Sequence, residues 1–271
     1  MIAITDYEFS RLAELVKRNY GINLGKEKKS LMVGRLHNVL VHKNFDNFSE
    51  YYDYIITDNT GDALTTLVEK LTTNHTYFMR EVEHFNFFRD KVLPYIMKVE
   101  TSRDLRIWSA GCSTGEEPYT LAMIIADMFG SNQDGWETKI LATDISSKVL
   151  EAAAKGVYQD EQIASIPVAW RNKYLRKVDH DKNMFIDQIR NEVIFRLFNL
   201  MKPTFPFKRK FHAIFCRNVM IYFDAATKRA LINRFYESME PGGYLFIGHS
   251  ESISRDDSNY KYVMPSVYRK E

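Results

Sequence analysis

The sequence predicts an α/β fold in which a parallel sheet flanked by helices follows an all-helical amino-terminal domain. Three observations carry that expectation. Apolar residues up to about residue 72 recur at helical spacing. From Asp104 onward, short apolar runs alternate with amphipathic stretches. A small-residue loop, Gly111-Cys112-Ser113-Thr114-Gly115, joins the first such run to the first such stretch. The resulting β-α-β-α alternation argues parallel strands joined by crossover helices.

In chain order, Phe9, Leu12, Ala13 and Val16 mark one helix, and Met32, Val33, Leu36 and Leu40 a second. The segment TTNHTYFMRE is polar enough to be a surface linker, which puts the boundary of the helical region near Leu71 to Phe88. LRIWSA is the first strand, a helix runs from about Glu116 to Phe129, KILATD is the second strand, and a helix runs from about Ser146 to Lys155. Residues 157 to 190 interrupt the alternation. There MFIDQI and EVIFRLF are short and β-prone, which predicts a small inserted antiparallel hairpin before a strand ending at Phe198. FHAIFC and YLFIGHS supply two more strands, with a helix from Ala225 to Met239 between them and Pro241-Gly242-Gly243 as the turn into the later one. The expected domains are residues 1–72, a linker over 73–88, and an α/β domain over 89–271 with its insert at about 157–190.

A chain of 271 residues, 45% of them apolar, can bury a real core. Its 37 basic and 35 acidic side chains leave a formal charge of +2, which gives no global electrostatic case for nucleic acid or an anionic membrane surface. Cys112 and Cys216 are too few for a disulfide framework, so a reducing compartment is the simpler setting. The start MIAITDYEFSRL carries acids where a signal peptide carries basic residues, and no apolar run approaches a membrane span. A cytosolic protein is expected.

The loop at residues 111–115 fits two unrelated patterns. It spells G-x-S-x-G, and Asp144 and His249 follow in the order of a serine hydrolase triad. A nucleophile elbow, however, sits on a central strand with an earlier strand-loop completing the oxyanion hole; here only helices precede LRIWSA, and there is no HGGG-like run. A cofactor loop instead expects an acidic residue at the end of the next strand, where it can accept ribose hydroxyls, and Asp144 stands there. Glu116 and Glu117 at the following helix start would repel a pyrophosphate and suit a cation, which favours S-adenosylmethionine over a dinucleotide. Both glutamates could equally be ordinary first-turn acids.

Taken together, TNHTYFMRE (73–81), WSAGCSTGEEPYTLA (108–122), ILATDI (140–145), FNL (198–200), FCRNVMIYF (215–223) and GHSES (248–252) resemble the chemotaxis receptor glutamate O-methyltransferases, the CheR family. The resemblance covers nearly the whole chain. It implies a class I (Rossmann-like) S-adenosylmethionine-dependent methyltransferase sheet with the inserted β-subdomain. It implies methyl transfer to glutamate side chains of methyl-accepting chemotaxis receptors, giving methyl esters and S-adenosylhomocysteine, in sensory adaptation. The implied partner is the receptors' cytoplasmic helical domain, with the enzyme a cytoplasmic monomer recruited to membrane receptor arrays and needing neither metal nor nucleic acid. Residue by residue, it implies that Asn74, Thr76 and Arg80 close over the methionine part of the cofactor. Glu117 and Asp144 take its amino acid and ribose groups, Asn199 and Leu200 lie at the adenine, and Gly111, Arg217 and Asn218 complete the pocket. Arg80 and Tyr222 are implied to lie nearest the transfer.

A glutamate with a pKa of about 4.3 is already ionised at neutral pH, so such a transfer needs no general base. His75, His84 and His212 fit no proton-transfer motif, and His249 is expected to be a strand-end hydrogen bonder. Arg80 would steer the incoming carboxylate through a charge-assisted hydrogen bond. On one helix Lys28, Arg35 and His42 would share a side, a solvated face in itself and, given the resemblance, a docking surface for an acidic receptor helix. The stretch LRKVDHDKNMFIDQIRNEVIF lacks the glycine-rich turns of relatives that grip a receptor tail peptide, which implies the branch independent of that peptide. A methyltransferase acting on a small carboxylate and a non-catalytic binding module are the other readings that share these features.

Overall fold

The computed structural model describes residues 2–130, 135–254 and 258–271, in two compact units: Met1–Asn74 with Tyr222–Lys228, and His75–Ile221 with Arg229–Glu271. The first unit holds α1 (Asp6–Tyr20), α2 (Lys29–His42), α3 (Phe48–Thr57) and α4 (Asp62–Leu71). A capping box starts α1, with the Thr5 side chain accepting from the Glu8 N–H and the Glu8 carboxylate accepting from the Thr5 N–H. Glu8 also accepts from the Ser49 N–H and hydroxyl, both at 2.9 Å, tying α1 to α3. Phe9, Leu12, Val16, Met32, Leu36, Leu40, Phe48 and Leu67 are buried, as helical periodicity requires.

Lys28 stands at the N-cap of α2, which carries Arg35 and His42. Lys26–Lys28 form a short 3-10 turn ahead of α2. Arg35 turns onto the carboxyl end of α4, donating to Leu71 O at 3.1 Å, Thr72 O at 2.9 Å and Thr73 Oγ1 at 3.0 Å. The last carbonyls of a helix have no partner within it, and a guanidinium answers several at once.

In the second unit the strands are β1 (Ile107–Ala110), β2 (Ile140–Asp144), β3 (Val157–Gln159), β4 (Leu175–Asp179), β5 (Lys182–Phe185), β6 (Val193–Leu197), β7 (Phe211–Cys216), β8 (Met239–Ile247), β9 (Tyr260–Met264) and β10 (Val267–Lys270). Its helices are α5 (Val82–Phe87), α6 (Leu93–Val99), α7 (Glu116–Phe129), α8 (Ser147–Lys155), α9 (Val168–Tyr174), α10 (Asp187–Arg190) and α11 (Ala225–Glu237), the first residues of α11 grouping with the helical unit. Seven strands form one sheet in the order β6-β2-β1-β7-β8-β10-β9. The five strands β6 to β8 of that order pair in parallel, and β10 is antiparallel to both of its neighbours. Every residue of β1 and β7 is buried, which explains their unbroken apolar runs. The strand order reverses between β1 and β7, so the crevice for a ligand opens at their carboxyl ends.

The inserted antiparallel unit is larger than a hairpin, a three-stranded sheet in the order β3-β5-β4. MFIDQI contributes only Met184 and Phe185 to a strand, and EVIFRLF becomes β6 at the edge of the large sheet. Aromatic packing decides this. Phe185 stacks on Tyr119 at 4.7 Å between ring centroids, and Phe78 meets Tyr158 at 4.8 Å. That contact buries Phe78 completely, so TTNHTYFMRE is not wholly a surface segment. Helix α11 ends at Glu237 and β8 has begun by Met239, which corrects the expected turn: Pro241-Gly242-Gly243 is a bulge inside β8, where Phe211 pairs with Met239 but Ala213 with Tyr244.

Candidate active site

Strand β1 ends against a loop whose backbone admits little but glycine at two points. At Gly111 the φ is +91° and a Cβ would fall 2.4 Å from a Val219 methyl; at Gly115 φ is +97° and a Cβ would fall 2.9 Å from the Tyr158 hydroxyl. Between them Ser113 is also left-handed, with φ 49°. Thr143 O on β2 accepts the N–H groups of Gly111 and Cys112 at 2.8 and 2.9 Å, and Tyr158 donates to Thr114 O at 2.6 Å. Asp144, closing β2, accepts the Ser113 N–H at 2.9 Å and the Ser146 N–H at 3.1 Å. This carboxylate therefore shapes the loop through backbone donors, and the His249 ring packs edge-on against His84 at 4.8 Å. Neither contact is the carboxylate-to-imidazole hydrogen bond of a hydrolase triad.

Glu116 and Glu117 open α7 but differ in surroundings. Glu116 is buried, accepts the Thr114 hydroxyl at 2.7 Å, and burial pushes its carboxyl above the ordinary value against that hydrogen bond. Glu117 faces the carboxyl ends of the strands, accepting the Ser109 hydroxyl at 2.7 Å and Arg217 Nη1 at 3.1 Å. Arg217, just past β7, also reaches Glu81 and donates to Arg80 O. Asn218, left-handed at φ 60°, is held by its N–H on Glu251 at 3.0 Å. Glu251 is itself buried and accepts two further N–H groups, from Gly248 at 2.6 Å and Ile221 at 3.0 Å. Past β6, the Phe198 N–H donates to Asp144 O, Asn199 Oδ1 accepts from the Met201 N–H at 2.8 Å, and Leu200 is buried.

Gly111, Glu117, Asp144, Asn199, Leu200, Arg217 and Asn218 thus gather at the carboxyl ends of β1, β2, β6 and β7. Thr76 is half-buried ahead of α5, and the Arg80 side chain folds back to His75 O at 2.8 Å. Asn74 and Tyr222 belong to the helical unit, where the Tyr222 hydroxyl accepts the Thr73 N–H at 3.2 Å. Sequence reading assigned no role to Glu81, Glu251 or Ser109, although Glu81 ends TNHTYFMRE and Glu251 lies within GHSES. Among the described residues, Glu81, His84 and His249 bring ligand atoms within 4.8 Å of one another, but the Arg217 guanidinium already occupies Glu81 and opposes a cation there.

A tight glycine loop after β1, with carboxylates at the start of α7 and at the end of β2, suits a nucleoside carrying positive charge better than a pyrophosphate. The fold and this donor set define a Rossmann-like, S-adenosylmethionine-dependent methyltransferase. More particularly, the chain belongs to the CheR methyltransferase family. Residues 74–268 match the "CheR methyltransferase, SAM binding domain" and residues 7–72 the "CheR methyltransferase, all-alpha domain". It is similar to the "Chemotaxis protein methyltransferase" of Borreliella burgdorferi, 45% identical with 99% of this chain and 96% of that one covered. The protein of the same name in Escherichia coli is 33% identical, with 98% and 92% covered. The "Probable chemotaxis protein methyltransferase" of Rhizobium etli is 34% identical, with 94% and 100% covered. Among the described residues, no helix is long and apolar enough to cross a membrane.

Proposed function

We propose that this methyltransferase esterifies glutamate side chains on the cytoplasmic helical domain of methyl-accepting chemotaxis receptors, releasing S-adenosylhomocysteine, and so serves sensory adaptation. The observation that carries the reading is the near-full-length likeness, at 45% identity, to a protein named for chemotaxis and methyl transfer. The chemistry of the site agrees. Burial, reinforced by the Arg217 charge, pushes His84 down to about 4, which leaves it a poor base; a carboxylate acceptor needs none.

Bound S-adenosylmethionine supplies an electrophilic methyl on a sulfonium. In this reading Glu117 receives the ammonium, Asp144 the ribose hydroxyls, and Asn199 with Leu200 the adenine; Asn74, Thr76, Gly111, Arg217 and Asn218 complete the enclosure. Arg80 and Tyr222 hold the acceptor carboxylate in line and keep water out, which is where most of the rate arises. The helical unit docks the receptor with Lys28 as a contact, residues 73–88 close over the cofactor, and the glycine-free insert marks the branch independent of a tail peptide. Calorimetry tests the cofactor site: tight binding of S-adenosylmethionine and S-adenosylhomocysteine is expected, weakened at least about tenfold by Asp144→Ala through loss of a charge-assisted contact. Unchanged affinity in that variant would sink the assignment.

A further inference from the structure

Arg217 meets two carboxylates, and that changes what Glu117 can offer a ligand. Nη1 lies 3.1 Å from Glu117 Oε2, while Nε and Nη2 reach Glu81 Oε2 at 3.2 and 3.1 Å. The three side chains are 14%, 11% and 3% exposed for Glu117, Glu81 and Arg217, so their charges are poorly screened. Glu117 paired with Arg217 alone would be neutral and would present little field to an ammonium. With Glu81 added, two carboxylates share one guanidinium, and the cluster carries one net negative charge.

Glu81 is fixed for this task. It accepts the His249 N–H at 3.1 Å and Asn218 Nδ2 at 3.4 Å. Its backbone is left-handed at φ 55°, a conformation costly for a glutamate and kept only where the surroundings impose it. Burial pushes its carboxyl up, but the Arg217 charge and the His249 N–H outweigh that and hold it below the ordinary value. His84, with Nδ1 3.4 Å from Glu81 Oε2, is neutral near pH 7 and cancels none of the charge.

We propose that Glu81 is a positioning residue for the cofactor, taking up the charge of Arg217 so that Glu117 keeps the negative field that a cationic ligand needs. The inference rests on Glu117 receiving the methionine part of S-adenosylmethionine. Three calorimetric probes differ in charge at that end: S-adenosylmethionine has an ammonium and a sulfonium, S-adenosylhomocysteine an ammonium, and methylthioadenosine no charged group. Glu81→Gln keeps the side chain's size and should weaken S-adenosylmethionine at least about tenfold, S-adenosylhomocysteine less, and methylthioadenosine not at all. Equal loss for all three would reduce Glu81 to a purely structural residue, and no loss would remove the role altogether.

The double variant Glu81→Gln/Arg217→Gln restores one net negative charge and should recover the wild-type ratio of S-adenosylmethionine to S-adenosylhomocysteine affinity; failure to recover it contradicts the proposal. Should Glu81→Gln not fold, Glu81→Asp decides. It keeps the charge, so its ratio should remain that of the wild type, and a shifted ratio in the folded protein overturns the role. A wild-type protein that binds none of the probes would overturn the cofactor reading itself, and Glu81's part with it.

Discussion

Arg35 separates two tasks that a basic side chain can perform on a helix. Its guanidinium is spent on the carbonyls that end α4, whereas Lys28 is exposed on the 3-10 turn. Arg35→Ala should therefore cost roughly 1.5–3 kcal/mol, the range for hydrogen bonds to a charged group. Lys28→Ala should stay within about 0.5 kcal/mol. Denaturant melts of the two variants check this, and equal costs would contradict it. Charge reversal at Lys28 should lower methylation of receptor while leaving cofactor affinity alone. At this scale the sequence was readable where residue type and place in the motif carry the signal, as with Gly111 at a left-handed turn and Asp144 at the end of its strand. Arg217 and Glu81 lie 136 residues apart, and Glu251 finds Asn218 33 residues away, so only the folded sheet brings those charges together. Periodicity exposed the side of the chain on which Arg35 sits, but not the α4 carbonyls that claim it.

Several carboxylates do their work at the ends of elements. Glu100, closing α6, accepts the Ser102 hydroxyl at 2.6 Å, the Ser102 N–H at 2.8 Å and His212 Nε2 at 3.0 Å, and the Ser102 bonds in particular bring it down to about 2 against burial. Asp58, closing α3, gathers the Ala63 and Thr60 N–H groups and the Thr60 hydroxyl, and also falls to about 2. Both folded values lie below those of the unfolded chain, so the unfolded state binds more protons in between. Their contribution is complete above about pH 4.5, where the unfolded groups are ionised, and is lost as pH falls toward 2. Stability followed by circular dichroism should drop across that window, and Glu100→Gln should make the decline shallower; an unchanged slope would contradict this. Strand and helix types were legible because β1 and β7 are unbroken apolar runs and α7 starts at a glycine-bounded acidic turn. The bulge in β8 and the third strand of the insert were not. A Pro-Gly-Gly sequence signals a bend without saying whether pairing continues past it, and the three-residue β3 is too short to show a period, its Tyr158 packing on Phe78 and Phe185, which are distant in sequence.

For the whole molecule, the two units answer different needs: a methyltransferase sheet with a charge-lined crevice, and a helical unit for which we propose receptor docking. The proposed carboxylate acceptor needs no general base, which agrees with a crevice whose buried His84 is held in neutral form. It also distinguishes the product from those of nitrogen or thiol methylation, because a carboxyl ester is cleaved by mild alkali. The most direct measurement is transfer of labelled methyl from S-adenosylmethionine to membranes containing the organism's chemotaxis receptors. The label should appear on the receptor and leave as methanol in mild base. Receptor left unlabelled, or a label stable to base, would contradict glutamate methylation.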